Sequence, residues 1–588
     1  MKRRDERLAT AVERILGLTL VGDIDLGMLV GVDEPDARGL RATLTCNGWT
    51  EVVTPRGDGL QARPLALIRE EALPPLAERL GMTVAELTSR WPVGRAAIHE
   101  RIARHAVVQG VNRTLALLAS QLRASGDGAL EAARSLPLSV PPEARWWPPL
   151  IEAEFSVRVD DELGSGFLAW DRAGAPDIHR RDRVRRWFKS AVEALDQQPV
   201  APILVVSAGD RETRVWTEAV RRWQEHTGRA AVDVLIAPAA EVLRVGPLHA
   251  AWRVPGARDG CSLMHWLDWQ AAVPPARSTV PFPQVPHRAP TLRAQLGRFP
   301  LRAGAPRRER VASLSLALDP LGRALIEWLA RHPWLFSTQL AVALNDPEPA
   351  VRRRLEILAR YGLARSVRAP EVDADLWIAR ELGLHLLAAA DGVPASRYRE
   401  AGALTVPIDA DERPGEVVLP RAFAHELGVN RAFVALAKTA RRDGGRLALW
   451  RNEAESLHIF GVGSAHRVRP DGSGVLELGG QALPFLLEYE RGTLSRAQLR
   501  TKVLAYERYY QAAAWEEYFD REPVVLWVCA DYRAARRVAA EAGVPSTVLP
   551  TVIVREPDSD DRVVDWLHPL APGRDGVRDK YEVAGAKP

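Results

Sequence analysis

Polar and apolar positions follow two periods along this chain, and the period changes at recognisable places. In DPLGRALIEWLARHPWLF, residues 319–336, Leu321, Leu325, Ile326 and Leu329 lie three and four apart, one stripe of a helix. STQLAVAL follows, with Ser337 placed to cap a second helix. PEPAVRRRLEILARYGL opens with prolines, which suit a first helical turn. Its Val351, Leu355 and Leu358 form a stripe that Gly362 ends. LARSVRAPEVDADLWIA predicts a hairpin, Leu363 to Arg368 up and Leu376 to Ala379 back. Three short helices and a hairpin are the element order of a winged helix-turn-helix, whose third helix enters the major groove of DNA. Arg352, Arg353 and Arg360 lie off the apolar stripe, and Arg365 and Arg368 lie on the wing. These are the candidate DNA contacts, although arginines on a helix are also a common solvated face.

Further along, FAHELGVNRAFVALAKTARR predicts a helix with Val429, Phe433 and Leu436 on one face. The strand-like runs RLALWR, AHRVRPDG, GVLELGG and ALPFLLEYER follow it. Next come a helix, SRAQLRTKVLAYERYYQ, a strand, PVVLWVCA, and a helix, YRAARRVAAEAG. The pattern predicts a mixed α/β domain.

The whole pattern is written twice. GVNRTLALLA begins at Gly110 and GVNRAFVALA at Gly428. DEPDARGLRATLTCNGW, from Asp33, matches DPEPAVRRRLEILARYGL, from Asp346. VRVDDELGSGFLAWDRAGAP, from Val157, resembles RVRPDGSGVLELGGQALPFLLEYERGTL, from Arg467. APILVVSAGDRETRVWTEAVRRW, from Ala201, resembles EPVVLWVCADYRAARRVAAEAG, from Glu522. Four matches in one order at a near-constant offset predict a tandem duplication. The expected organisation is α/β and multidomain: two tandem copies of a winged helix-turn-helix followed by a mixed α/β nuclease-like domain. A degenerate winged helix spans 8–75 and a degenerate α/β domain 85–255. A Pro- and Arg-rich linker spans 273–309. The second winged helix spans 310–395, the second α/β domain 405–570, and a flexible tail 571–588.

Composition narrows the function classes. Of 588 residues, 47% are hydrophobic and 26% charged, an ordinary globular balance. Net charge is +4 and the pI about 9.0, which permits nucleic-acid binding. No apolar run approaches a membrane span, and MKRRDERLATAVER lacks a signal-peptide core, so a cytoplasmic location and no membrane partner are expected. Cys46, Cys261 and Cys529 lie too far apart in sequence to suggest a disulfide framework or a zinc cluster. No Walker loop is present. Nearly all positive charge is Arg. The only lysines are Lys2, Lys189, Lys438, Lys502, Lys580 and Lys587, so a lysine inside a motif stands out.

One such motif is FLLEYERGTLSRAQLRTK, residues 485–502. A buried-looking strand ends in Glu488 and Glu490, which share a strand face, with Asp471 upstream and Lys502 on the next helix. Carboxylates that hold Mg²⁺ or Mn²⁺ beside a lysine suit phosphodiester cleavage. The layout resembles PD-(D/E)XK-type nucleases, which makes Asp471 and Glu488 the expected metal ligands and Asp471, Glu488, Glu490 and Lys502 the candidate catalytic set. The position that such enzymes give to lysine is here Glu490. Taken singly, a strand ending in EYER is also ordinary surface and PDG an ordinary turn. In the first copy FLAWDR replaces FLLEYER: Ala169, Trp170 and Asp171 stand for Glu488, Tyr489 and Glu490. Asp161 aligns with Asp471, and Lys502 falls near Trp187, with Lys189 beyond. Without the central carboxylate, the first copy is expected to be a non-catalytic scaffold.

STQLAVAL, RRRLEILARYGL, the helix from His425 and FLLEYERGTLS…LRTK together resemble the replication-relaxation family of plasmids and integrative elements, over about residues 315–550. The resemblance implies a DNA-binding protein acting in replication or relaxation of a mobile element, with duplex DNA and other replication or mobilisation proteins as partners. Alternatives are a Mg²⁺-dependent endonuclease or nickase and a protein-interaction scaffold with a dead nuclease fold. A tyrosine relaxase is disfavoured. Tyr506 and Tyr510 are spaced like a packing face, and no His-x-His occurs.

Overall fold

The computed structural model describes residues 2–56, 63–126, 128–136, 149–160, 162–194, 201–227, 232–256, 260–271, 305–368, 374–401, 423–461, 466–542, 549–555 and 583–584. The chain divides into two units: residues 1–320 with 385–394, and residues 321–384 with 395–588. It is a mixed α/β multidomain protein, and none of its described helices is long and apolar enough to cross a membrane.

The first unit opens with α1 (Lys2–Leu18), β1 (Val21–Gly22), α2 (Asp23–Val30), α3 (Glu34–Cys46), β2 (Thr50–Val53) and β3 (Leu65–Ile68). Its small antiparallel sheet runs β1-β3-β2. Asp33 caps α3 by accepting from Asp36 N at 2.8 Å, and a proline follows in the first turn. Past three short helices come α4 (His105–Ser125), β4 (Ala129–Ser135), β5 (Ala153–Val159), β6 (Glu162–Trp170), α5 (Asp177–Ala194), β7 (Ile203–Ser207), α6 (Asp210–Thr227) and β8 (Val234–Pro238). The sheet runs β4-β5-β6-β7-β8, with β9 (Asp268–Ala271) also pairing β6. The β4, β5 and β6 pairings are antiparallel, and those of β6, β7 and β8 parallel. Leu168, Leu204 and Val206 face a core shared with α4, while Phe167, Ala169 and Val205 face α5 and α6. Burial on both faces explains the near-continuous apolar runs of β6 to β8. Helix α7 (Arg307–Ala317) also belongs to this unit, so the described end of the expected 273–309 linker leads into a helix. The rest of that linker, and the 571–588 tail apart from Val583–Ala584, lie outside the described residues.

The second unit repeats this order. It begins with α8 (Pro320–Arg331), β10 (Leu335–Phe336), α9 (Ser337–Leu344), α10 (Glu348–Arg360), β11 (Ala364–Arg368), β12 (Asp375–Ala379) and α11 (Glu381–Asp391), which crosses the division between the units. The sheet runs β10-β12-β11. Then come α12 (Phe423–Arg442), β13 (Arg446–Asn452), β14 (Gly472–Leu478), β15 (Gln481–Glu490), α13 (Arg496–Gln511), β16 (Val524–Cys529), α14 (Tyr532–Ala542) and β17 (Thr551–Arg555). The order is β13-β14-β15-β16-β17, with Val583–Ala584 pairing beyond β17. The first two pairings are antiparallel and the next two parallel.

One local expectation is corrected. Ser337 is the first residue of α9, not its cap: Phe336 N donates to Gln339 Oε1 at 3.0 Å, and the Ser337 hydroxyl donates to Glu348 Oε1 at 2.9 Å.

The repeated GVNR has a physical reason. A Cβ on Gly110 would lie 2.2 Å from the Trp170 ring, and one on Gly428 2.1 Å from the Tyr489 ring. Only glycine lets these helices approach the aromatic residue near each strand end. Two residues on, Asn112 donates to Thr19 O at 2.8 Å and Asn430 to Pro333 O at 2.9 Å. Each carbonyl belongs to a tight turn before β1 or β10, where Leu20 (φ 48°) and Trp334 (φ 68°) are left-handed. The asparagine thus ties the three-helix module to the sheet domain within each unit.

Candidate functional site

Strand alternation sends Phe485, Leu487 and Tyr489 toward α12 and Leu486, Glu488 and Glu490 toward α13. Phe433 of α12 lies 5.6 Å from Phe485, ring to ring. On the other side, Leu486, Val503, Tyr506 and Trp527 close a core over the strand. Helix α13 starts from a capping box: Gln498 N donates to Ser495 Oγ at 3.3 Å, and Ser495 N to Gln498 Oε1 at 2.8 Å. That start places Lys502 and Tyr506, one turn apart, over Glu488.

Glu488 is fully buried. Its Oε1 accepts from the Tyr506 hydroxyl at 2.5 Å, and its Oε2 from Lys502 Nζ. Asp471 precedes β14, whose first residue, Gly472, pairs with Leu487, so Asp471 lies beside Glu488. Its Oδ2 accepts from Tyr489 N at 2.7 Å; its Oδ1 lies 3.3 Å from His425 Nε2 and 3.9 Å from Lys502 Nζ. The structure therefore brings Asp471, Glu488 and Lys502 into one cluster. Glu490 is buried on the same strand face, but its Oε1 accepts from Leu494 N at 3.4 Å in the turn before α13.

Burial pushes the Glu488 carboxyl up to about 8. Lys502 opposes that rise and the Asp471 charge adds to it. Burial acts in the same sense on Asp471, yet Lys502, His425 and the Tyr489 amide outweigh it and bring Asp471 down to about 2. Lys502 is held above its usual range by Glu488 and Asp471 against its own desolvation. One carboxylate is thus kept ionised and its neighbour kept close to protonation near neutral pH, as in sites that move protons.

Residue reading missed two members of this cluster. His425 sits one turn before Gly428 on α12, and the close approach that Gly428 permits brings that helix end over Asp471. Tyr506 looked like packing by its spacing, and only its contact with Glu488 distinguishes it. Tyr509 and Tyr510 are buried as well, bonded to His458 at 2.8 Å and to Pro523 O at 2.6 Å.

The donor set does not fit a divalent cation in this arrangement. Mg²⁺ takes a near-octahedral shell of oxygens. Here both oxygens of Glu488 and both of Asp471 already face protein donors, and the Lys502 ammonium holds the cationic place. Among the described residues, no three His, Cys, Asp or Glu side chains converge as a metal site.

In the first unit, strand register corrects two sequence alignments. Ala153 pairs with Leu168 as Gly472 pairs with Leu487. The counterpart of Asp471 is therefore Glu152, and Glu152 Oε2 accepts from Trp170 N at 3.1 Å as Asp471 accepts from Tyr489 N. Asp161 lies outside the described residues. Arg183 follows Ala169 by the same spacing that separates Lys502 from Glu488, and its Nη2 reaches Glu152 Oε2 at 2.8 Å. Lys502 thus corresponds to Arg183, and Trp187 to Tyr506. Arg104 adds a second ion pair to Glu152 at 2.8 Å. Asp171, in the place of Glu490, is held by Arg180 at 2.9 Å.

On the third helices, Arg352 is 61% exposed and paired with Glu348 at 2.6 Å. Arg353 and Arg360 are exposed and carry no ion pair among the described residues. On the hairpin Arg365 is half-buried, while Arg368 is 83% exposed and 3.7 Å from Asp375. In α3 the arginines are tied down, Arg41 to Asp23 at 2.5 Å and Arg38 to Glu34 at 2.9 Å.

Fold and site together define a multidomain α/β protein with a buried carboxylate–lysine cluster in its second unit. Residues 326–525 match the model of the replication-relaxation family. That span runs from α8 to the start of β16 and contains the whole cluster. No curated protein and no solved structure matches the chain.

Proposed function

We propose that this is a DNA-binding protein of a plasmid or mobile element, acting in its replication or relaxation, and that it grips duplex DNA through the second unit's three-helix module. In this reading α8 to β12 is a winged helix, α10 its recognition helix and the β11–β12 hairpin its wing. The carrying observation is a contrast in arginines: Arg353 and Arg360 of α10 are exposed and carry no ion pair among the described residues, while Arg38 and Arg41 of α3 are paired with Glu34 and Asp23. The two units are read as tandem copies on the strength of their shared element order, strand order and register. Affinity for a duplex should fall steeply with salt, because phosphate contacts release counterions. Arg353→Ala with Arg360→Ala should weaken binding and flatten the salt slope by about one unit per lost phosphate contact. Titrations by fluorescence anisotropy at several salt concentrations test this; unchanged affinity removes α10 as the DNA-reading helix and favours a protein-interaction scaffold.

A second reading, phosphodiester cleavage or nicking at Asp471, Glu488 and Lys502, rests on the convergence of these three side chains alone. Mg²⁺ or Mn²⁺ would have to displace Lys502 from Glu488 before either carboxylate has free oxygens for it. Supercoiled plasmid incubated with and without these ions, with wild type beside Glu488→Ala, decides it. Nicking that needs the ion and disappears in the variant supports an endonuclease; intact plasmid in every lane leaves DNA binding alone.

A further inference from the structure

Glu488 lies two residues inside one edge of its sheet, and that edge is basic. β15, β16 and β17 run parallel and in register, so Glu490, Cys529 and Arg555 end side by side. Arg491 is the first residue beyond β15, Tyr532 and Arg533 open α14 just beyond β16, and Arg555 closes β17. Ligands of open α/β sheets sit outside the carboxyl ends of parallel strands, the edge these residues occupy.

The loops after β15 and β16 are joined there. Ala530 N donates to Glu490 O at 2.9 Å, and Arg537 of α14 donates to Gly492 O at 2.7 Å and to Leu494 O. Arg537 is spent in this way. Arg491, Arg533 and Arg536 are exposed and carry no ion pair among the described residues. The acids nearby do not balance them. Glu490 is 4% exposed and turned into the loop before α13, and Glu541 is taken by Arg496. Asp531 is exposed, but it caps α14 by accepting from Ala534 N at 2.7 Å.

Tyr532 chooses the ligand. It is the exposed aromatic side chain among the described residues, 49% open to solvent. Arg536, one helical turn on, has its Cζ 5.8 Å from the ring centre and orients it. Arginines hold phosphates, and an exposed ring among them takes an unpaired base, the combination that single-strand sites use. Bases inside a duplex are stacked on one another and closed to such a ring. The first unit shows the contrast. Ile203 pairs with Phe167 as Val525 pairs with Leu486, so Asp210 stands in the place of Tyr532 and Arg211 in that of Arg533. Arg211 is tied to Asp177 and Glu212, each at 2.5 Å, and Arg172, in the place of Arg491, to Asp391 at 2.5 Å. That edge has neither the ring nor the spare charge.

We propose that the carboxyl edge of β15 and β16 binds single-stranded DNA, with Tyr532 stacking on a base and Arg491, Arg533 and Arg536 holding the flanking phosphates. The inference rests on the reading of this chain as a DNA-binding protein and adds a surface that takes a different form of DNA from α10. The strand it holds lies at the end of β15 that carries Glu488.

Fluorescence anisotropy of the full chain with labelled oligothymidylate, which forms no duplex, tests this beside a labelled duplex. Tyr532→Leu removes the ring, and Arg533→Ala with Arg536→Ala removes two charges. All three positions are exposed, and circular dichroism confirms the fold of the variants. Tyr532→Leu should weaken oligothymidylate binding about tenfold, the value of one base stacked on an aromatic ring, and Tyr532→Trp should retain it. The arginine pair should flatten the salt slope by about 0.7 per lost phosphate contact. Duplex affinity should hold in these variants, and the Arg353 and Arg360 double variant should lose duplex and keep oligothymidylate. Oligothymidylate that wild type does not bind, that binds undiminished to the folded variants, or that they lose no more than they lose the duplex, overturns the proposal. Oligothymidylate bound through Tyr532 with no duplex bound at all supports it and strikes only the α10 reading.

Discussion

Leu487-Glu488-Tyr489-Glu490 and Leu168-Ala169-Trp170-Asp171 end corresponding strands in sheets of one order, yet their surroundings carry opposite burdens. In the second unit two buried acids share one lysine, and burial, with the Asp471 charge adding to it, pushes the Glu488 carboxyl up to about 8. In the first unit Ala169 removes one acid, and Arg104 and Arg183 both serve the remaining Glu152. The comparison teaches that exchanging one carboxylate for a methyl group changes what a whole cluster can hold. The first arrangement sets a titrating carboxyl beside an ionised one; the second pairs its one acid with two guanidinium groups.

The largest effect expected is from Lys502→Met. At pH 9 wild-type Glu488 is mostly ionised; without Lys502 the variant must either protonate Glu488 or bury two carboxylates without their shared cation. It should destabilise the second unit by about 3–5 kcal/mol. Arg183→Met leaves Glu152 its Arg104 partner and should cost about 1.5–3 kcal/mol, one hydrogen bond to a charged group. Urea unfolding read by hydrogen exchange, peptide by peptide, separates the units; equal losses would break the comparison.

Gly428→Ala and Gly110→Ala should behave alike. Each adds a methyl into an aromatic ring, at about 1–3 kcal/mol. Matched losses in the same measurement sharpen the correspondence of the units, and a loss in only one of them contradicts it.

The pH response should differ between the units. Because the folded Glu488 carboxyl titrates higher than the unfolded one, the folded state binds more protons between about 4.5 and about 8. Stability of the second unit should therefore fall as pH rises through that window, by up to about 1.4 kcal/mol per pH unit. Asp471 acts in the opposite sense: its contribution is present above the unfolded carboxylate range and is lost as pH falls toward about 2. Glu488→Gln should flatten the profile on the alkaline side only. A wild-type profile already flat from pH 5 to 8 would sink the assignment of Glu488 as the titrating group.

The smallest effect should come from Arg38→Ala with Arg41→Ala. Their charges are spent on Glu34 and Asp23, so duplex affinity and its salt slope should stay where they are while the α10 pair weakens binding. A loss in the α3 pair equal to that in α10 would mean that both modules touch DNA.

Hydrophobic period with proline and glycine placement was enough to read a mixed α/β multidomain chain from the residues alone. Local backbone preference and side-chain alternation determine those features, and both are written in short windows. The grouping of Asp471, Glu488 and Lys502 was legible too, because an apolar strand ending in acids leaves few places for them to go. Tertiary structure alone decided the partners. Asp161 seemed to match Asp471 in sequence, but the antiparallel pairing of Ala153 with Leu168 and of Gly472 with Leu487 selects Glu152. His425 and Tyr506 enter the cluster because α12 and α13 are pressed against opposite faces of β15, a relation between distant segments that no local window contains. Whether an arginine is spent or spare, as Arg211 and Arg533 differ, depends on acceptors brought from other elements, and long-range packing alone brings them there.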